Sequence, residues 1–145
     1  QMILAGRRIN DAMGKYVVTE LVKTMLKKRI HVTGSNVLVL GLAFKENCPD
    51  IRNTKVVDVL LELKEYEANV DVYDPWACPV DALNQYGVNL IDQPKKHHYD
   101  AIVLAVAHDQ FKLLDEAGLA DLCKPVSIIY DLKYILPKSL VDMRL

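Results

Sequence analysis

VLVLGLAFKENCPDIRNTKVVDVLLEL, residues 37–63, passes from an apolar run into a segment whose apolar positions recur at helical spacing. Strand, turn and helix in that order make the first unit of a nucleotide-binding α/β domain. Its turn lacks the glycines of a dinucleotide fingerprint. Gly41 stands alone where three would let backbone N–H groups and a helix N-terminus approach a pyrophosphate. A longer turn with Phe44 and Lys45 instead brings a flat ring and an ammonium to the crevice, and lysine serves as a point-charge partner for phosphate. Arg52, just ahead of a helix capped by Asn53 or Thr54, aims its guanidinium the same way. The alternative for Lys45, Asp50 and Arg52 is a solvated loop in which they pair among themselves.

Upstream, Ile9, Met13, Tyr16, Val17, Leu21 and Met25 recur at helical spacing among Arg7, Arg8, Lys15, Glu20, Lys23 and Lys27. This predicts one long amphipathic helix from Met2 to about Lys28, closed by the Thr33-Gly34-Ser35 loop. It reads either as a solvated helix packed on one face or as an interdomain or dimer-forming helix. Downstream, strands are predicted at Asn36–Leu42, Asn69–Tyr73, Val88–Leu90, Ala101–Val106 and Ser127–Tyr130. Helices are predicted at about Thr54–Glu67, Cys78–Tyr86, Asp109–Leu113 and Leu119–Cys123. Runs such as VLVL and AIVLAV suit strands buried on both faces, and the alternation argues for right-handed βαβ units. The expected fold is therefore a doubly wound, mostly parallel, Rossmann-like α/β sheet of five or six strands, residues 31–145, preceded by a helical segment, residues 1–30.

The chain has 145 residues, 51% of them hydrophobic, and a net charge of -1, which offers no basic field for a nucleic-acid partner. Its longest apolar runs fall well short of the roughly 18 residues that span a bilayer, and no signal-peptide pattern opens it. A cytoplasmic protein without a membrane partner is expected. Cys48, Cys78 and Cys123 are widely spaced with no C-x-x-C pair, against both a disulfide framework and a zinc site, and in keeping with a reducing compartment. No carboxylate or cysteine completes a metal-ligand set at His97-His98, so no metal is expected. The opening QMILAGRR, already helical in pattern and without an initiator Met, reads as a piece of a longer protein.

In a doubly wound sheet ligands gather beyond the carboxyl ends of the strands. Asp74-Pro75 stands there after the second strand, either as an acid for a ribose or as a turn. His108, after the fourth, is either a hydrogen-bonded turn residue or an acid/base group. Lys133, after the fifth, could add a second positive group to the crevice.

Together, G-L-A-F-K-E-N-C-P-D-I-R-N-T-K resembles the signature turn that opens the C-terminal UDP-sugar-binding domain of the UDP-glucose/GDP-mannose dehydrogenase family. The leading L-A-G-R-R-I-N-D-A-M-G-K-Y-V is similar to the family's central helical region, and Y-D-P and A-V-A-H-D-Q-F fit its later segments. K-E-N-C-P-D-I-R-N-T is closest to the branch that oxidises UDP-N-acetylhexosamines, since UDP-glucose enzymes more often have threonine where Cys48 stands. The resemblance implies oxidation of the sugar C6 hydroxymethyl to a carboxylate in two hydride transfers, with NAD as cofactor, in making polysaccharide precursors. It implies a cysteine nucleophile in a glycine-rich motif this chain does not contain, hence no catalytic residue here, and NAD bound mainly by an N-terminal domain also absent. Phe44 and Lys45 are implied as contacts of a UDP-N-acetylhexosamine, Lys133 more loosely as another, and Arg52 as a contact reaching across to NAD. A homodimer through the central helices is implied as well. The competing classes are a UDP-glucose or UDP-N-acetylmannosamine enzyme, and a stand-alone nucleotide-binding or phospho-receiver-like module. A receiver would need an acidic pair after the first strand, where Gly41-Leu42-Ala43-Phe44 stands.

Overall fold

Val37, Val39, Ala101 and Val103 are buried on one face of a sheet while Leu38, Leu40, Ile102 and Leu104 are buried on the other, as the two-residue period of a strand dictates. In the computed structural model, residues 2–145 are described, with side chains from residue 12 onward. The strands are β1 (Asn36–Leu40), β2 (Asn69–Tyr73), β3 (Tyr99–Leu104), β4 (Cys123–Asp131) and β5 (Met143–Arg144). They lie in the order β2-β1-β3-β4-β5 with every pairing parallel. A parallel sheet needs both faces covered. Helices α1 (Met2–Lys27), α2 (Val56–Glu65) and α3 (Pro79–Tyr86) contribute to the core on one face, and α4 (Asp109–Lys112) and α5 (Glu116–Leu122) to that on the other.

The doubly wound expectation holds, and the chain reverses direction across the sheet between β1 and β3, so the crevice opens at their carboxyl ends. Several boundaries moved. The expected strand Val88–Leu90 reduces to one parallel bridge, Val72 to Leu90, because an edge segment just past the left-handed Gly87 has pairing on one side only. An unforeseen strand, β5, closes the other edge. No local pattern marks it; Asp142 places it by accepting the Ile129 N–H at 2.8 Å and the Lys28 ammonium at 2.9 Å. Helix α2 starts at Val56 rather than Thr54, since Asn53 has φ +60° and Thr54 Oγ1 accepts the Val56 N–H at 3.3 Å. Cys123, expected in a helix, opens β4, and Cys78 stands at the N-cap of α3 ahead of Pro79.

Helix α1 buries Val17, Val18, Leu21 and Met25 and leaves Met13 and Tyr16 exposed. The side chains of Arg7, Arg8 and Ile9 lie outside the described residues. Its contact with α2 is close: a Cβ on Gly14 would meet Asp58 Cβ at 2.8 Å. No helix among the described residues is long and apolar enough to cross a membrane.

Candidate functional site

The turn leaving β1 begins at Gly41, whose φ of +106° and contact with β3's exit both require a bare backbone: an added Cβ would lie 2.6 Å from Val106 Cβ. The next two amides, Leu42 and Ala43, donate to Asp74 Oδ2 at 2.7 and 2.8 Å. Asp74 Oδ1 accepts from the amides of Trp76 and Ala77 at 2.7 and 3.0 Å. A fifth donor is His108 Nε2, 2.9 Å from Oδ2. Burial by itself would raise this carboxyl's pKa. The His108 bond and the backbone amides outweigh it and pull the pKa down to about 2. Of the two readings of Asp74, the turn is what the structure shows. The carboxylate is saturated from within and has no lone pair turned toward a ribose.

His108 has no solvent exposure. Its Nδ1 accepts the Asn47 N–H at 2.9 Å, so the ring proton sits on Nε2, facing Asp74. Both nitrogens are occupied, which places His108 among hydrogen-bonded turn residues rather than acid/base groups. Asn47, at φ +55°, uses its side-chain oxygen to accept the Asp109 N–H at 3.0 Å. Within the turn, the Phe44 N–H donates to the Asp50 carbonyl at 2.7 Å, and the Tyr86 hydroxyl donates to the Ile51 carbonyl at 2.7 Å. The frame is internal. What it presents outward is Phe44, 55% exposed, and Lys45, also exposed.

Arg52 takes the pairing alternative in this structure. Its Nε and Nη2 each lie 3.0 Å from an oxygen of Asp50, whose Oδ1 also accepts the Arg52 N–H at 2.9 Å. That fork holds the Asp50 carboxyl near pKa 2, with a small contribution from Lys45. The guanidinium remains largely solvent-exposed. Lys133 does not join Lys45. It lines a separate small apolar hollow of about 160 Å³ with Met13, Val17, Lys55 and Val56, and its N–H is held by Asp131 Oδ1 at 3.0 Å.

Two residues escaped the sequence reading. Asn47 was readable only as an asparagine in a turn, a residue type that tolerates left-handed φ. Trp76, on the rim, donates its indole N–H to Gln110 at 3.0 Å and tilts over His108 at 6.3 Å between ring centroids. Among the described residues no group of three or more His, Cys, Asp or Glu side chains could hold a metal ion. Chemically the site offers a ring, an ammonium and a fixed backbone, suited to gripping an anionic ligand that carries a flat or sugar moiety.

Residues 38–138 match the UDP-binding domain of the UDP-glucose/GDP-mannose dehydrogenase family. The UDP-N-acetyl-D-glucosamine 6-dehydrogenase of Pseudomonas aeruginosa is 54% identical over 145 residues, which is 100% of this chain and 34% of that protein. The enzyme of the same name from Salmonella typhi is 49% identical, again over 100% of this chain and 34% of its own length. Among solved structures, UDP-D-ManNAc dehydrogenase from Pyrococcus horikoshii superposes with a TM-score of 0.73 at 25% identity, covering 95% of this chain and 31% of that one. The chain thus spans about a third of the length of the curated relatives it matches.

Proposed function

This chain belongs to the UDP-glucose/GDP-mannose dehydrogenase family, and on that premise we propose that it is the C-terminal, UDP-sugar-binding part of an NAD-dependent UDP-N-acetyl-D-glucosamine/galactosamine 6-dehydrogenase. The observation that carries this reading is the outward pair Phe44 and Lys45, mounted on a turn whose backbone is fixed from behind by Asp74 and His108. Lys45 meets the nucleotide's phosphate charge and Phe44 its flat or sugar surface. Lys133 is a further, more distant basic contact. Oxidation of C6 takes place elsewhere in the full-length protein, where a cysteine nucleophile and most of the NAD site reside.

The residues here do not fit a whole NAD site. The amides of Leu42 and Ala43, which a dinucleotide fold would turn to the pyrophosphate, are held by Asp74, and Asp74 is also the acid that would meet the ribose. The turn therefore closes a cleft from the far side, with side chains, and Arg52 exchanges its bond to Asp50 for a contact with NAD held by the rest of the protein. Helix α1 belongs to the central region, where exposed Met13 and Tyr16 support burial against another domain or a second copy in a homodimer. The protein works in the cytoplasm on polysaccharide precursors. The identity to the two glucosamine enzymes favours N-acetylglucosamine over glucose or N-acetylmannosamine as the sugar.

The test is NADH formation by the full-length protein with each of UDP-N-acetylglucosamine, UDP-N-acetylgalactosamine, UDP-N-acetylmannosamine and UDP-glucose. Turnover confined to the first two is expected; preference for either of the last two would replace the branch assignment.

A further inference from the structure

We infer that His108 and Asn47 are positioning residues for substrate recognition, the imidazole acting as a two-ended strut that fixes the backbone on both sides of Phe44 and Lys45. The inference rests on the reading that these two side chains meet the UDP-sugar. On the near side, the turn is held at Leu42 and Ala43 by Asp74 Oδ2, with donor–acceptor distances of 2.7 and 2.8 Å. On the far side it is held at Asn47, whose N–H reaches His108 Nδ1 at 2.9 Å. One ring joins the two clamps, because His108 Nε2 is itself bonded to Asp74 at 2.9 Å and the ring is wholly enclosed.

Asn47 needs that support. It sits at φ +55°, a left-handed conformation that asparagine tolerates better than most residues but that the surrounding bonds must still hold. Its oxygen closes a second bond, to the Asp109 N–H at 3.0 Å, so the turn and the start of α4 clasp each other reciprocally. The backbone that carries Phe44 and Lys45 thereby does not have to be ordered when ligand arrives, which lowers the entropic cost of binding. The two nitrogens carry separate duties: Nε2 anchors the ring, and Nδ1 sets the turn.

Amide side chains separate those duties. In His108→Asn the amide oxygen can stand near the place of Nδ1 and accept from Asn47; in His108→Gln the longer amide can reach Asp74 with its N–H, leaving Asn47 without an acceptor. In the full-length enzyme, His108→Gln should raise the KM for UDP-N-acetylglucosamine about fivefold or more, with kcat little changed. His108→Asn should hold KM within about twofold while losing more thermal stability than His108→Gln. Asn47→Gly, which tolerates the left-handed backbone and frees the turn, should also raise KM and provides the test if neither His108 variant folds. If KM follows the thermal midpoint across the two His108 variants, or Asn47→Gly leaves it unchanged, the positioning role is overturned. Lys45→Ala is assayed alongside: an unmoved KM there removes the substrate-binding reading itself, whereas a raised KM with silent His108 and Asn47 variants removes only the strut.

Discussion

Asp74 Oδ2 and His108 Nε2 lie 2.9 Å apart with neither side chain exposed, and the carboxylate of this pair has a pKa near 2. A carboxyl whose folded pKa lies below its unfolded value of about 4 stabilises the fold above that value, and the stabilisation disappears as pH falls from about 4 to 2. The shift corresponds to about 2 kcal/mol. Urea titrations at pH 6 and pH 2.5 should show this loss in the wild type, and Asp74→Asn should be less stable at pH 6 with a flatter acid limb. Asp50 is held as low by Arg52 but at the surface, so 0.5 M salt should weaken its share while sparing that of Asp74. An acid limb that salt abolishes would mean the buried pair is not its source.

On the proposed reading, Lys45→Ala should lose one charge-assisted contact to the sugar nucleotide, worth about 1.5–3 kcal/mol, or roughly ten- to a hundredfold in KM. The residue is exposed, so the thermal midpoint should stay within about 1 °C. Steady-state kinetics of the full-length variant, with calorimetric unfolding in parallel, check both expectations.

Arg52 and Asp50 form a fork in this structure, which makes the pair a controlled comparison. Arg52→Ala should raise the KM for NAD more than that for the UDP-sugar, and Arg52→Lys should restore little, since an ammonium lacks the planar fork that engages two oxygens. Asp50→Ala releases the guanidinium and should leave the NAD KM unchanged or lower it. Equal effects of Asp50→Ala and Arg52→Ala on both ligands, with matched losses of stability, would reduce Arg52 to a brace of the turn.

Gly41→Ala combines a left-handed φ with a collision against Val106, whereas Gly34→Ala has φ +79° and open space around it. The first should cost about 3 kcal/mol or more and the second about 1 kcal/mol by urea denaturation. Similar losses for both would show that the β1–β3 exit yields where the geometry says it is tight.

Incubated alone with UDP-N-acetylglucosamine and NAD, the purified chain should form no NADH above an enzyme-free background. The amides that would meet a pyrophosphate are occupied by Asp74, and burial raises the pKa of the Cys123 thiol, away from the thiolate a nucleophile needs. Measurable NADH would overturn the division of labour proposed here.

The doubly wound sheet was legible because strands such as VLVL and AIVLAV are apolar at every position, a pattern that two-sided burial requires. Phe44, Lys45 and Arg52 were legible as a turn's odd chemistry. Asp74 and His108 were legible only as alternatives, since which partner a carboxylate finds depends on two strand ends brought together from 34 positions apart. Strand β5 carries no local signal at all. Its pairing with Tyr130 and Asp131 is non-local, and beside it Asp142 accepts from the Ile129 N–H and from Lys28, 114 positions away. Lys133 was legible as a residue just past β4, but its place beside Met13 and Lys55 was not: a strand end specifies the rim of the sheet, and packing decides the face toward which a side chain leaves that rim.

Where α1 crosses α2, the missing side chain of Gly14 brings the helix against the backbone of Asp58, and at the other end of α1 Lys28 bonds the Ser127 carbonyl at 3.0 Å and Asp142 at 2.9 Å. Helix α1 is thus tied to α2 near Gly14 and to the last two strands just past Lys27. An alanine at Gly14 would press its methyl group on Asp58 and so loosen the seat of α1 on α2, at a distance from the turn that carries Phe44 and Lys45.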